Sequence, residues 1–312
     1  MKTSACGCAL GLAAGAAIFN AFCFVPGVFA AENGATITPF GVTDFGAGML
    51  PPSTPFGTVG VRAAYYSADV VKNGRGDRID NDFDLTVKTI GLAYIHMSET
   101  QLFGASVGFG TIIPLMDING SLTVPTPGGP FTLAGEDFAL GDIQIMPLML
   151  QWNAPPNLFV NASLQVQAPT GSYDVNEPFN VGTNHWAIAP LVGFTYLTDG
   201  GFEISSRIEL NFNTENPDTD YTSGVEYKQE FAVGQHFGPW TLGAGGYVYQ
   251  QLSDDTGPTA GDGNRGRVMA LGPAISFFEP GLPVMSLHAY REFAAENRAE
   301  GVNVAFRIGM AF

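Results

Sequence analysis

Cysteine is almost missing: the 312 residues hold three, Cys6, Cys8 and Cys23, all within an N-terminal stretch that carries Lys2, runs apolar and ends in "VPGVFA". Small Val28 and Ala30 ahead of Ala31 mark residues 1–30 as a secretory signal peptide. Cleavage after Ala30 leaves about 282 residues without a thiol, which excludes a disulfide, a metal–thiolate site and a cysteine nucleophile. Bulky Phe22 and polar Asn20 before Cys23 also argue against lipid attachment at that cysteine.

Positive charge is scarce as well. Twelve basic side chains face 29 acidic ones once Lys2 is gone, a formal charge of about −17, and such a surface repels nucleic acid. No stretch beyond the signal peptide offers about 18 uncharged apolar residues in a row, so a membrane-spanning helix is excluded. Catalytic signatures are missing too. His96, His185, His236 and His288 are far apart and no G-x-S-x-G occurs, so neither a catalytic residue nor a cofactor is expected.

What the chain has is alternation. In "FEISSRIELNFN", Phe202, Ile204, Ser206, Ile208, Leu210 and Phe212 fall on one side, and Glu203, Ser205, Arg207, Glu209, Asn211 and Asn213 on the other. That is the period of a β-strand with one apolar face. "NLFVNASLQVQA" and the C-terminal "VNVAFRIGMAF" repeat it. The whole chain gives twelve expected strands, at about 57–71, 82–98, 101–116, 137–153, 157–169, 184–198, 201–213, 222–237, 240–252, 265–278, 284–296 and 301–312. Short connections ("SET", "APP", "TDG", "GP", "EPGLP") alternate with mostly longer polar ones (72–81, 117–136, 170–183, 214–221, 253–264 and "NRAEG").

An all-β transmembrane antiparallel barrel of the bacterial outer membrane has this arrangement, with short periplasmic turns and longer extracellular loops. Strands of ~12 residues, rising ~3.3 Å per residue at a tilt of ~40°, span the apolar band. A secreted β-sandwich also alternates, but strand length, loop asymmetry and the terminal Phe312 favour the barrel, at residues 57–312.

Residues 31–56 precede it and are rich in Gly and Pro. They read either as a periplasmic tail or as a plug in the lumen, and apolar Phe40, Phe45, Met49, Leu50 and Phe56 favour the plug.

The quoted stretches "LPPSTPFGTVGVRAAYYSADV", "LGDIQIMPLMLQW", "APTGSYD", "VGTNHWAIAPLVGFTYL", "NFNTENPDTDYTSGVEY", "GGYVYQQLSDDTG", "RGRVMALGP" and "ENRAEG" carry a resemblance. From about Leu50 to Phe312 the chain resembles the outer-membrane protein family named after the meta pathway of phenol degradation. The resemblance implies a barrel that moves small hydrophobic molecules, aromatic compounds among the candidates. A general diffusion porin and a structural or adhesive barrel are the alternatives. Membrane lipids, lipopolysaccharide and the hydrophobic solute are the expected partners. The oligomeric state stays open.

Parity selects the lumen candidates: Glu203, Arg207 and Glu209 opposite Glu226, Lys228 and Glu230, with Tyr247, Tyr249, His288, Tyr290, Glu292 and Arg307. A final hairpin turning around Ala299 and Glu300 would set Glu292 beside Arg307 as an ion pair. Trp152, Phe237, Trp240, Phe277 and Phe278 read as one interfacial belt and Tyr65, Tyr66, Trp186, Tyr249 and Phe293 as the other. The acidic loop "TENPDTDYTSG" places Asp218, Asp220 and Thr222 at alternate positions, but a calcium loop would need Gly at its sixth and Glu at its twelfth position. Turn geometry is its first reading. A divalent cation bridging lipopolysaccharide at Asp218 and Asp220, or at Asp254 and Asp255, is the second.

Overall fold

The structure, a computed structural model, describes residues 31–34, 39–154 and 157–312. The expected signal peptide and the Pro-Pro of the "APP" turn lie outside these residues. Among the described residues, fourteen strands follow one 3-10 turn at Glu32–Gly34. They are β1 (Thr58–Lys72), β2 (Arg78–Ile79), β3 (Asp84–Leu102), β4 (Ala105–Thr126), β5 (Gly129–Leu140), β6 (Ile143–Ala154), β7 (Leu158–Ala168), β8 (Ala187–Leu197), β9 (Phe202–Asn213), β10 (Glu226–Phe237), β11 (Trp240–Gln251), β12 (Arg267–Phe277), β13 (Val284–Glu296) and β14 (Arg298–Ala311).

Each barrel strand pairs antiparallel with its neighbour. β14 closes on β1 from Thr58↔Ala311 to Lys72↔Arg298, so the sheet has no free edge along that seam. With β2 and β5 set aside, twelve strands form the closed barrel. Closure matters because unpaired backbone groups in hydrocarbon cost several kcal/mol each, on the order of an unmade hydrogen bond or more. The outer face carries the apolar parity: on β8, Ile188, Val192, Phe194 and Tyr196 are exposed while Ala187, Ala189, Leu191 and Thr195 are buried.

Two expectations change. The segment 117–136 is a hairpin: β4 continues to Thr126, and its outer part pairs with β5 from Leu115↔Leu140 to Thr126↔Gly129. "SLTV" and "PFTL" each have strand alternation, and "PGG" between them supplies the turn. The strand expected at 137–153 is broken at Gly141–Asp142, where Asp142 turns inward and takes Gly171 N (2.8 Å), Thr183 N (2.8 Å) and Thr183 Oγ1 (2.7 Å) from the long loop after β7.

The final hairpin also differs, since it turns near Asn297, whose φ is +49°, rather than at Ala299 and Glu300. Arg307 therefore pairs with Ser286, and the ladder of β13 and β14 ends at Arg291↔Val302. Glu292 is not beside Arg307. Their inward parity holds, because a slip by an even number of residues keeps both on the same face.

Candidate functional site

The inner wall is divided by chemistry. Around β9 to β14 it carries many ionisable and aromatic side chains among small and polar ones, and on β3 and β4 no inward side chain is ionisable. The register pairs Lys228 with Glu209, Glu230 with Arg207, and Glu226 with Asn211. All five of Glu203, Glu209, Glu226, Lys228 and Glu230 are buried. Lys228 Nζ lies 3.2 Å and Arg207 3.3 Å from Glu209, and His236 Nε2 lies 2.7 Å from Glu203. Tyr247, Tyr249 and Tyr290 are inward and fully covered. The phenol of Tyr249 donates to Glu226 at 2.7 Å, and that of Tyr247 to Glu292 at 2.7 Å. Glu292 also receives Tyr66 Oη (2.8 Å) and Gly301 N (2.7 Å).

Against this polar wall runs the segment after Pro39. Its amides reach carboxylates and hydroxyls: Val42 N and Thr43 N donate to Glu230 (3.0 and 2.8 Å), Gly46 N to Glu203 (2.7 Å), and Gly48 N to Thr195 Oγ1 (2.8 Å). Its carbonyls take donors in turn. Arg62 reaches Phe40 and Gly41 (3.1 and 2.9 Å), Asn303 reaches Phe40 (2.9 Å), Arg307 reaches Val42 (3.2 Å), and Asn161 reaches Ala47 (2.8 Å). An irregular backbone inside a barrel must find partners on the wall, and these inward polar residues supply them.

Phe40 stacks on Tyr247 at 4.8 Å, and the Phe45 ring sits over Gly234, where a Cβ would collide with it at 2.6 Å. Asp44 is bonded to His288 and Tyr290, whose rings stack 4.1 Å apart. Leu50 packs on Met97, Met146 and Met149. The other two expected members lie outside this packing. Met49 is partly exposed, and Phe56, 75% exposed, sits at the short-turn rim with its N bonded to Phe312 O (3.2 Å).

Facing the segment, and touched by it at Leu50, is the apolar part of the wall. Leu85, Val87, Ala93, Ile95 and Met97 of β3 and Ile112, Pro114, Met116, Ile118, Leu122 and Val124 of β4 line it, with Met146 and Met149 of β6. The cavity between wall and segment holds about 2090 Å³ and touches both Asp218–Tyr221 at the long-loop end and Phe278–Leu282 at the short-turn end. It is a lane with a greasy side and a polar side. At its long-loop end Phe83, Leu122, Val124, Leu133 and Phe179 cluster together.

The outer faces of β3 and β4 are apolar as well, with Ile90, Leu92, Phe109 and Ile113 exposed. The lane was not among the expected lumen residues. Its signal was present in "DLTVKTIGLAYIHM" and "GTIIPLMDI", where apolar residues occupy both parities.

Among the belt candidates, Trp186, Tyr65, Phe293, Phe237 and Trp240 are exposed on the outer face, whereas Phe278, also exposed, borders the short-turn end of the cavity. Tyr66 and Tyr249 are inward instead, since Tyr65 and Val248 take the outward parity beside them. In the acidic loops, Asp218 accepts from Asn184 Nδ2 (3.0 Å) and Asp254 pairs with Arg265 (2.7 Å). Asp255 is buried and accepts from Tyr221, whose phenol is pushed well above its ordinary pKa by burial and by that carboxylate. Tyr221 is therefore a donor at neutral pH. Among the described residues no group of three or more His, Cys, Asp or Glu is placed to hold a metal ion.

The fold has solved relatives at low identity. An outer membrane channel from Pseudomonas putida F1 is 16% identical, with a TM-score of 0.73 over 86% of this chain and all of that one. The β domain of the Bordetella autotransporter BrkA is 11% identical, with a TM-score of 0.51 over 82% of this chain and 99% of that one. No curated protein matches the chain in sequence. A family profile matches residues 68–308, and on that match the chain belongs to the family described as "Putative MetA-pathway of phenol degradation".

Proposed function

We propose that the protein is a bacterial outer-membrane channel that passes small hydrophobic compounds, aromatic ones included, along the apolar lane. The short turns face the periplasm and the long loops the exterior, as the loop asymmetry of outer-membrane barrels implies. The carrying observation is the inner wall of β3 and β4, which is without an ionisable side chain over the depth of the barrel although a water-filled pore would favour a polar one. Apolar solute gains roughly 25 cal/mol for each Å² it buries there, so a lane of this kind selects against ions and for greasy molecules.

The segment from Pro39 to Phe56 acts in this reading as a plug. It fills the polar side, donates amides to the buried Glu203 and Glu230 carboxylates, and narrows the lumen to the lane. Glu203, Arg207, Glu230, His288, Tyr290 and Arg307 serve to seat it rather than to select solute, while Glu209, Glu226 and Lys228 bond to neighbouring residues of the wall. Catalysis has no part in this reading. The outer-membrane channel among the solved relatives and the family description support the transport reading.

Uptake by proteoliposomes of a fluorescent apolar probe and of a charged analogue tests it. Selective passage of the apolar probe is expected. Equal passage of both, with large stable ion conductance, would establish a general diffusion porin instead.

A further inference from the structure

Ala31 is the residue at which the expected leader cleavage would start the mature chain. Its amide nitrogen lies 3.1 Å from Asp255 Oδ2, at the long-loop end of the barrel, and both residues are buried. The rest of the Asp255 carboxylate is taken by Tyr221 Oη, Gly224 N (2.7 Å) and Gln251 Nε2. These donors are all neutral, and among the described residues no basic side chain forms an ion pair with Asp255. A buried carboxylate without a cation is costly. Ala31 also has φ of +56°, a conformation disfavoured for an L-residue other than glycine, Asn or Asp. A chain terminus has no φ, so cleavage before Ala31 abolishes that strain.

The next residues are seated as closely. Glu32 N donates to Ser223 Oγ (3.0 Å), the Glu32 carboxylate takes Thr219 Oγ1 (2.7 Å) and Asn216 Nδ2 (2.9 Å), and Gly34 O receives Arg298 (3.1 Å).

We propose that Asp255, with Tyr221, Gly224 and Gln251 around it, is a receptor for the protein's own α-ammonium group. Hydrolysis of the Ala30–Ala31 bond by a leader peptidase consumes one water, leaves a carboxylate on the released peptide, and frees an amine on Ala31. That amine takes a proton at neutral pH, its ordinary pKa being roughly 7.7 to 8.0, and supplies the missing countercharge. The uncleaved chain presents only a neutral amide there. Capture of an N-terminal amine by a polar pocket is a known recognition mode. Processing is thereby coupled to seating of the segment: the terminus is fastened at the outer loops, Asp44 in the middle of the lumen, and Gly57 at the base.

Intact mass of protein purified from membranes, followed by labelling of the α-amine with an amine-selective aldehyde at neutral pH, tests the proposal. The mass should place Ala31 first. Labelling should be at least about tenfold slower than in Asp255→Asn and than in a variant that keeps two extra residues ahead of Ala31 after cleavage, with folding checked by heat-dependent gel migration. A first residue other than Ala31 overturns the proposal. So does equal labelling of the wild type and Asp255→Asn; if Asp255→Asn does not fold, equal labelling of the wild type and the extended variant overturns it instead.

Discussion

The Nδ1–H of His288, on β13, donates to the Asp44 carboxylate at 3.0 to 3.1 Å, joining the lumen segment to the barrel wall across 244 positions of sequence. Tyr290 donates to the same carboxylate, so Asp44 is held from two sides. Leaving a buried hydrogen-bond donor without its acceptor costs about 1 to 3 kcal/mol. Asp44→Ala should therefore loosen the segment while the barrel, held by its own ladder, stays folded. The expected result in planar bilayers is conductance that rises several-fold and flickers, with the heat-dependent gel shift retained.

Gly48 runs so close to the wall that a Cβ there would overlap the backbone of Thr195 and the carbonyl of Phe159. A side chain cannot be accommodated by rotation when the obstacle is backbone. Gly48→Val should displace the segment as Asp44→Ala does, with protease cleavage within residues 39–50 appearing in the variant and not in the wild type. An intact segment in Gly48→Val would show that the close approach is not maintained in solution.

Arg307 and Glu292 lie on adjacent strands but about six residues apart in register, or roughly 20 Å at ~3.3 Å per residue. Arg307 reaches Val42 O, and Glu292 receives Tyr66, Tyr247 and Gly301 N. Stability changes in Arg307→Ala, Glu292→Ala and the double variant should add to within about 0.5 kcal/mol, as for separated sites. Urea midpoints of refolded barrel measure this, and a coupling above about 1 kcal/mol would restore the direct pair.

Ile112 and Met116 lie on the apolar lane and Ile113 on the outer face of the same strand. Met116→Lys should reduce passage of an apolar probe by about tenfold or more, because a charge in the lane raises the barrier to apolar solute and holds water. Barrel assembly should persist, since the side chain faces the cavity. Ile113→Lys should instead impair insertion, a lipid-facing charge costing about 2 to 4 kcal/mol at mid-depth. The opposite assignment of the two phenotypes would invert the parity of β4.

Parity was readable from residues alone. Alternation in "FEISSRIELNFN" put Glu203, Arg207 and Glu209 inside, and the short "TSG" to "EYKQEF" run opposite it placed Glu226, Lys228 and Glu230 against them. A strand has period two, so each side chain's face follows from its neighbours once one face is apolar. Strand number followed from the same pattern. Register at β13 and β14 did not, because it depends on where the turn falls: Asn297 adopts positive φ and moves the pairing by an even step that leaves parity untouched.

The path of residues 39–56 was open to two readings, a tail or a plug, and the apolar residues among Gly and Pro favoured the plug without naming its partners. Only the closed barrel brings Glu230, Glu203, Thr195, Asn161 and Arg62 from five strands to that one backbone. The apolar lane is of the same kind. Local pattern determines which face a side chain takes; what meets it across the lumen is a property of closure, which no segment carries by itself.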